Sequence, residues 1–289
     1  PGIWNNDWDG NPSIVEDIMF EGGENGILFA TKLNRSYDGD GKVQVDPEIL
    51  VKVEGWNDDL IRSVGDRNAS IESSVAILDG RLYFTNSGGR VVGLDITRVE
   101  AGEAPIVFDY WAGDDIDASP VIDADGMLYI AIELERNLPR ADEVGQIIKL
   151  DPSRPDDPLL WSVAVPAPNS LTEGGAWATP ALGDGVLYAA THPGDLLAID
   201  TDTGEVLWTD AIGFHAWSSP LIVDDHLLVA VDCEAGGGLR AYSLADPTRP
   251  VRTWNLPHGG GCIESTPTVW EGRIFVGSRD GFFYAFGDR

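Results

Sequence analysis

The chain has 289 residues and a formal net charge of −29, with 48 Asp and Glu against 19 Lys and Arg. Such a surface repels nucleic acid and anionic membranes, because phosphate binding needs clustered Lys and Arg. It favours solubility and cationic partners. No apolar run approaches the roughly 18 residues that a bilayer span needs, and no charged-then-apolar start resembles a signal peptide. Pro1 is a poor translation start, so an upstream segment is expected. Asn-x-Ser sequons stand at Asn34 and Asn68.

In chain order, short apolar runs alternate with Gly, Pro and Asp clusters, the mark of hairpin-linked strands. Aligning on the residue before each first strand gives Pro12, Val75, Pro120, Pro180, Pro220 and Pro267, spaced by 63, 45, 60, 40 and 47 residues. Second strands follow at Ile18–Phe20, Leu82–Phe84, Leu128–Ile130, Leu187–Ala189, Leu227–Val229 and Ile274–Val276. A glycine then precedes each third strand: Gly26, Gly89, Gly145, Gly194, Gly238 and Gly281. Fourth strands carry an aromatic at Tyr110 or Trp111, Trp161, Trp208 and Trp254, with Ile49–Val51 in the first unit. Four strands per period of about 40 to 60 residues is the signature of a β-propeller. The expectation is an all-β, six-bladed propeller of four-stranded antiparallel blades, one domain over residues 1–289. The sixth unit stops at Phe286, and Gly2-Ile3-Trp4 is expected to supply its fourth strand. Excursions at 34–45, 56–70, 134–144 and 166–175 account for the longer spacings.

The best-formed unit, Ala176 to Trp208, reads Thr-Pro, Asp-Gly-Val-Leu-Tyr, Gly-Asp-Leu-Leu-Ala-Ile-Asp, Thr-Gly-Glu-Val-Leu-Trp. This pattern resembles the PQQ-type repeat of quinoprotein-like β-propellers, and weaker copies extend the resemblance over almost the whole chain. The resemblance implies two kinds of relative: quinone-dependent dehydrogenases, and scaffold propellers that bind proteins and no quinone. The dehydrogenases have eight blades, an adjacent Cys-Cys pair over the cofactor and an Asp base beside Ca²⁺. This chain has no adjacent Cys pair and no position that matches the Asp base, so no catalytic residue is assigned and PQQ is not expected.

In a propeller the start of each first strand and the turn between strands two and three lie on one face, the usual ligand face. Three residues before the aligned positions stand Asp9, Glu72, Asp117, Trp177, Trp217 and Glu264. They make a channel mouth half acidic and half aromatic, suited to a cation or a sugar. Asp9, Glu72, Asp117 and Glu264 are candidate Ca²⁺ ligands through hard carboxylate oxygens, and Trp faces attract organic cations. The turns on the same face add Glu24, Asn25, Asn86, Glu133, His192, Asp232 and Arg279, with His215 and His258 in neighbouring loops. The Asp-rich stretches at Asp38, Asp123 and Asp200 lack the acidic twelfth residue of an EF-hand and read as turns.

Cys233 and Cys262, the two cysteines, fall on this face in adjacent units. A disulfide between them is expected, worth roughly 3 kcal/mol in the chain-entropy model, and it implies an oxidising, extracytoplasmic compartment: periplasm, cell surface or medium. The functional expectation is a binding scaffold for a protein partner or for self-assembly, with Ca²⁺ or small-ligand binding and quinoprotein catalysis as the alternatives.

Overall fold

The computed structural model describes residues 8–168, 173–231, 237–255 and 262–287. Each apolar run becomes a strand, and consecutive strands pair antiparallel in chain order. Sheet one is Ser13–Val15, Ile18–Gly22, Ile27–Lys32 and Glu48–Glu54. Sheet two is Ala76–Leu78, Arg81–Thr85, Arg90–Asp95 and Ile106–Trp111. Sheet three is Val121–Ile122, Leu128–Ala131, Ile147–Leu150 and Leu159–Val163. Sheet four is Ala181–Gly183, Val186–Ala190, Asp195–Asp200 and Val206–Ala211. Sheet five is Leu221–Val223, His226–Ala230, Leu239–Ser243 and Val251–Asn255. Sheet six has three described strands, Thr268–Trp270, Arg273–Gly277 and Phe283–Phe286.

The turns explain the punctuation of the sequence. The glycine before every third strand has positive φ, from 74° at Gly26 to 104° at Gly194, a conformation that L side chains resist. The Asp-rich stretches are turns whose carboxylates serve their own backbone. Asp38 accepts from the N–H of Asp40 and Lys42, Asp123 from Asp125 and Met127, and Asp200 from Asp202 and Thr203. A Cβ at Gly194 would stand 2.5 Å from the carbonyl carbon of Gly213, whereas at Gly126 (φ 82°) it would meet nothing within 4 Å. Gly194→Ala is therefore expected to cost about 2 kcal/mol or more, and Gly126→Ala only about 1 kcal/mol, in urea unfolding.

Successive sheets bury apolar faces against each other. Phe20 and Leu28 of sheet one pack with Leu82 and Phe84 of sheet two. Val91 and Phe108 pack with Leu128 and Ile148, and Tyr129 and Trp161 with Leu187 and Leu197. Tyr188 and Leu196 meet Leu227 and Val229, and Ala230 and Leu239 meet Ile263 and Val276. Strands covered on both faces are buried at every residue, as at Val186–Ala190. At about 1.5–3 kcal/mol per buried large side chain, these layers dominate the stability. The turn glycine of the fourth unit has a packing role too: the Trp161 ring lies where a Cβ on Gly204 would be, 2.8 Å away, and its Nε1 donates to Thr201 O at 2.8 Å.

The residue before each aligned position, Asn11 in the first unit and Ser or Thr in the other five, links the first strands of sheets one to four and of sheets five and six. Asn11 N–H donates to Ser74 Oγ, Ser74 N–H to Ser119 Oγ, and Ser119 N–H to Thr179 Oγ1, at 2.9–3.0 Å. Ser219 N–H donates to Thr266 Oγ1 at 3.2 Å. This belt fixes the relative height of the first strands and so aligns the residues three positions upstream.

The two end sheets differ from the rest. Sheet one alternates buried and half-buried residues along Ile18–Gly22, so only one face is covered. In sheet six Trp270, Phe282 and Phe283 are exposed. No apolar cluster joins sheets six and one among the described residues, so a closed six-bladed ring is not established. The expected closing strand, Gly2-Ile3-Trp4, lies outside the described residues. The excursions acquire structure of their own. Residues 36–44 form a small hairpin, Ser36–Tyr37 with Val43–Gln44. Helices form at Asp58–Val64, capped by the Asn57 side chain, and at Pro139–Val144. Glu133–Leu134 pairs with Gly174–Gly175, binding two excursions into one ribbon.

Candidate functional site

The belt of first strands brings the upstream residues into one wall with an acidic and an aromatic part. On the acidic side, Glu72 accepts from Ser87 Oγ at 3.1 Å and hydrogen-bonds with Asp117, which in turn meets Glu133. Asp115 and Glu135 stand close by. Burial pushes all five carboxyls up, and their mutual repulsion adds to it. Asp117 rises to about 7, first from burial and then from Glu72. Burial and then Asp117 hold Asp115 and Glu133 well above the usual carboxylate range.

Arg136 is the cation of this wall. It donates to Asp66 at 2.9 Å, to Asp115 at 3.1 Å and to Ser87 O at 2.7 Å. The fully buried Asp114 is held by N–H groups of Asp115, Arg136 and Asn137 at 2.8–3.1 Å. Arg136 thus ties the 133–137 loop to the loops around Asp66 and Ser87.

On the aromatic side, Trp177 stacks on Trp217 at 5.2 Å and on His192 at 4.1 Å. His215 and Phe214 meet His192 edge-on at 4.5 and 4.7 Å. Trp217 keeps 37% of its surface exposed, while His192 is fully buried. Burial first, then His215, lowers His192 to about 4, so it is neutral at pH 7. Its Nε2 lies 3.4 Å from the half-exposed Glu173 carboxylate, which also acts on Glu135. Glu173 and Glu135 therefore link the aromatic and acidic parts.

Of the residues expected at the mouth, Asp9 and Glu72 come together, with Asp117 beside Glu72. Trp177, Trp217 and His192 come together as a stack. Glu264 is instead engaged by Arg279 at 2.7 Å. Glu24 joins Asp9 and Glu72, one oxygen of each lying within 4.8 Å of the others. His226 sits away from the wall, beside Asp225 at 2.7 Å. Cys233, Asp232 and His258 lie outside the described residues; among the described residues no cysteine is free. Spacing did not single out Asp115, Glu135, Arg136, Glu173 or Phe214. Only the density of acids in Asp114-Asp115-Ile116-Asp117 hinted at the first of these.

Residues 144–260 match a family model described as outer membrane protein assembly factor BamB. A curated BamB, the outer membrane protein assembly factor of Yersinia pestis, is 28% identical over 113 residues, or 37% of this chain. That match spans 25% of the relative's own length. Among solved structures, BamB from Moraxella catarrhalis superposes with a TM-score of 0.57 at 17% identity, covering 98% of this chain and 83% of that one. The computationally designed Ika8 protein gives 0.64 at 10% identity, covering 96% of this chain and 70% of its own. A chain of the mitotic checkpoint complex gives 0.61 at 11% identity, covering 94% and 73%. At these identities the structural likeness speaks for the fold alone. Among the described residues no helix is long and apolar enough to cross a membrane. Together with the repeat described above, these matches support a PQQ-type β-propeller repeat, with the family model matching over residues 144–260.

Proposed function

We propose that this chain is an extracytoplasmic scaffold that binds a protein partner through the acidic–aromatic wall. One observation carries the reading: Trp217, held by its stack on Trp177, keeps an exposed ring at the end of an aromatic stack whose His192 lies 3.4 Å from the half-exposed Glu173 carboxylate. An exposed indole on an acidic surface receives a Lys or Arg side chain by cation–π and ionic attraction together. The net charge of −29 steers a basic segment toward it. The likeness to BamB, an outer membrane protein assembly factor, supports a role in partner binding. The expected Cys233–Cys262 bridge supports an oxidising compartment.

The reading is tested by selecting displayed peptides on the immobilised protein. The expected peptides are rich in Lys and Arg and bind Trp217→Ala at least tenfold more weakly. Recovery of neutral peptides, or of peptides that bind Trp217→Ala and the parent protein equally, contradicts it.

A further inference from the structure

We propose that the space between sheets five and six binds a small uncharged aromatic molecule of the phenol class. The starting point is a packing rule that sheet five breaks. In sheets one to four, one second-strand residue is aromatic: Phe20, Tyr83, Tyr129 and Tyr188, paired across with Ser13, Ala76, Val121 and Ala181 of the first strands. Each ring residue is at most 6% exposed and packs toward the following sheet. In sheet five the residue at this position, paired with Leu221, is Leu228.

The third strand makes room for the ring. Phe20, Tyr83 and Tyr188 stand opposite Ala30, Gly93 and Ala198, and a Cβ on Gly93 would stand 2.7 Å from the Tyr83 ring. Sheet five keeps the small residue, Ala241 opposite Leu228, and lacks the ring. A cavity of about 640 Å³ lies there, lined by Leu228, Ala241 and Trp254 of sheet five and by Val269, Ile274 and Phe286 of sheet six. Trp254 and Phe286 meet edge-on at 6.2 Å, so an incoming ring finds aromatic partners for stacking or edge contact. Water in so apolar a space has few partners, and an apolar ring displaces it favourably.

Polar groups at the mouth choose the ligand. Tyr129 donates its hydroxyl to Asp123, in the turn between the first two strands of sheet three, at 3.0 Å. The matching turn of sheet five brings Asp224 to the cavity, with His226 beside it. A phenol with its ring over Ala241 and its hydroxyl toward Asp224 repeats that arrangement. Asp224 and the net charge of −29 repel an aromatic carboxylate. The site is separate from the acidic–aromatic wall and uses no residue of it.

The test uses p-cresol, the tyrosine side chain without its backbone, at pH 7. Calorimetry and thermal unfolding should show one site and a raised unfolding temperature. The same ring carrying a carboxylate, p-hydroxybenzoate, should bind at least tenfold more weakly, and toluene, which lacks the hydroxyl, at least threefold more weakly. Leu228→Tyr should restore the missing ring, unfold no earlier than the parent protein and bind p-cresol at least tenfold more weakly. Ala241→Leu, which fills the same space from the third strand, should also block binding. In the methyl-labelled parent protein, p-cresol ring protons should show Overhauser contacts to Leu228 and Ile274, a readout that does not depend on any variant folding. Absence of p-cresol heat and of a thermal shift at millimolar concentration overturns the proposal. So do Overhauser contacts to other methyls alone, equal binding of p-hydroxybenzoate or toluene, or p-cresol binding that survives both Leu228→Tyr and Ala241→Leu.

Discussion

Arg136→Met is expected to destabilise the fold by about 3–5 kcal/mol, the range for breaking one side of a buried ion pair. Arg136 is 13% exposed and meets Asp115, which is 7% exposed, and the fully buried Asp114. Removing the guanidinium leaves Asp115 among Asp117, Glu133 and Glu135 with no cation, so the repulsion in the wall rises. It also frees Ser87 O and Asp66, and with them the anchorage of the 133–137 loop. Arg136→Lys keeps one charge but cannot reach three partners as the planar fork does, so it should recover only part of the loss. Urea unfolding of both variants measures this. If Arg136→Met unfolds with the parent protein's midpoint, the wall is not held by this residue.

The second large effect concerns pH. In the absence of divalent cations the protein should become less stable as pH rises from about 5 to 8. Asp117 ionises near about 7 in the fold, because of burial and Glu72, against about 3.9 in an unfolded chain. A group raised in this way stabilises the fold fully below its unfolded value. It loses that contribution as pH climbs through its folded value. Glu72, Asp115, Glu133 and Glu135 are shifted in the same direction. His192 works oppositely: lowered to about 4, it contributes fully above about 6.5 and loses its share as pH falls through its folded value. The carboxyls outnumber it. Asp117→Asn should raise stability at pH 8 by roughly 2–4 kcal/mol and flatten the decline between pH 5 and 8. What remains is the smaller decline from the other raised carboxyls, opposed on the acid side by His192. Thermal unfolding across this pH range, with chelator present, checks both slopes; a parent protein that gains stability steadily up to pH 8 contradicts the assignment.

Much of this architecture can be read from local chemistry. The glycines at 26, 89, 145, 194, 238 and 281 mark turns because each must take a positive φ. The second strands are short apolar runs because the central sheets bury them on both faces. Counting three residues upstream of each first strand finds Glu72, Asp117, Trp177 and Trp217, because the hydroxyl belt holds neighbouring strands at matching heights. What spacing cannot reveal depends on excursions that fold against one another. Glu135, Arg136 and Glu173 reach the wall because Glu133–Leu134 pairs with Gly174–Gly175, some 40 residues away in sequence. The same limit explains Glu264: its place in the repeat matches the other acids, but Arg279 from its own unit takes its carboxylate. Ring closure depends on faces at opposite ends of the chain, and the half-bare sheets one and six show no such contact among the described residues.

The central claim is that the wall around Trp217 receives a protein partner. Its most direct measurement is site-specific photo-crosslinking in the native cell, with a photoreactive residue at position 217 and, as a control, at the exposed outer-strand position Val107. One discrete crosslinked protein is expected from position 217, attached through a Lys- or Arg-rich segment and lost when Glu135 and Glu173 are both changed to Gln. The same crosslinked protein from both positions, or none from position 217, would contradict it.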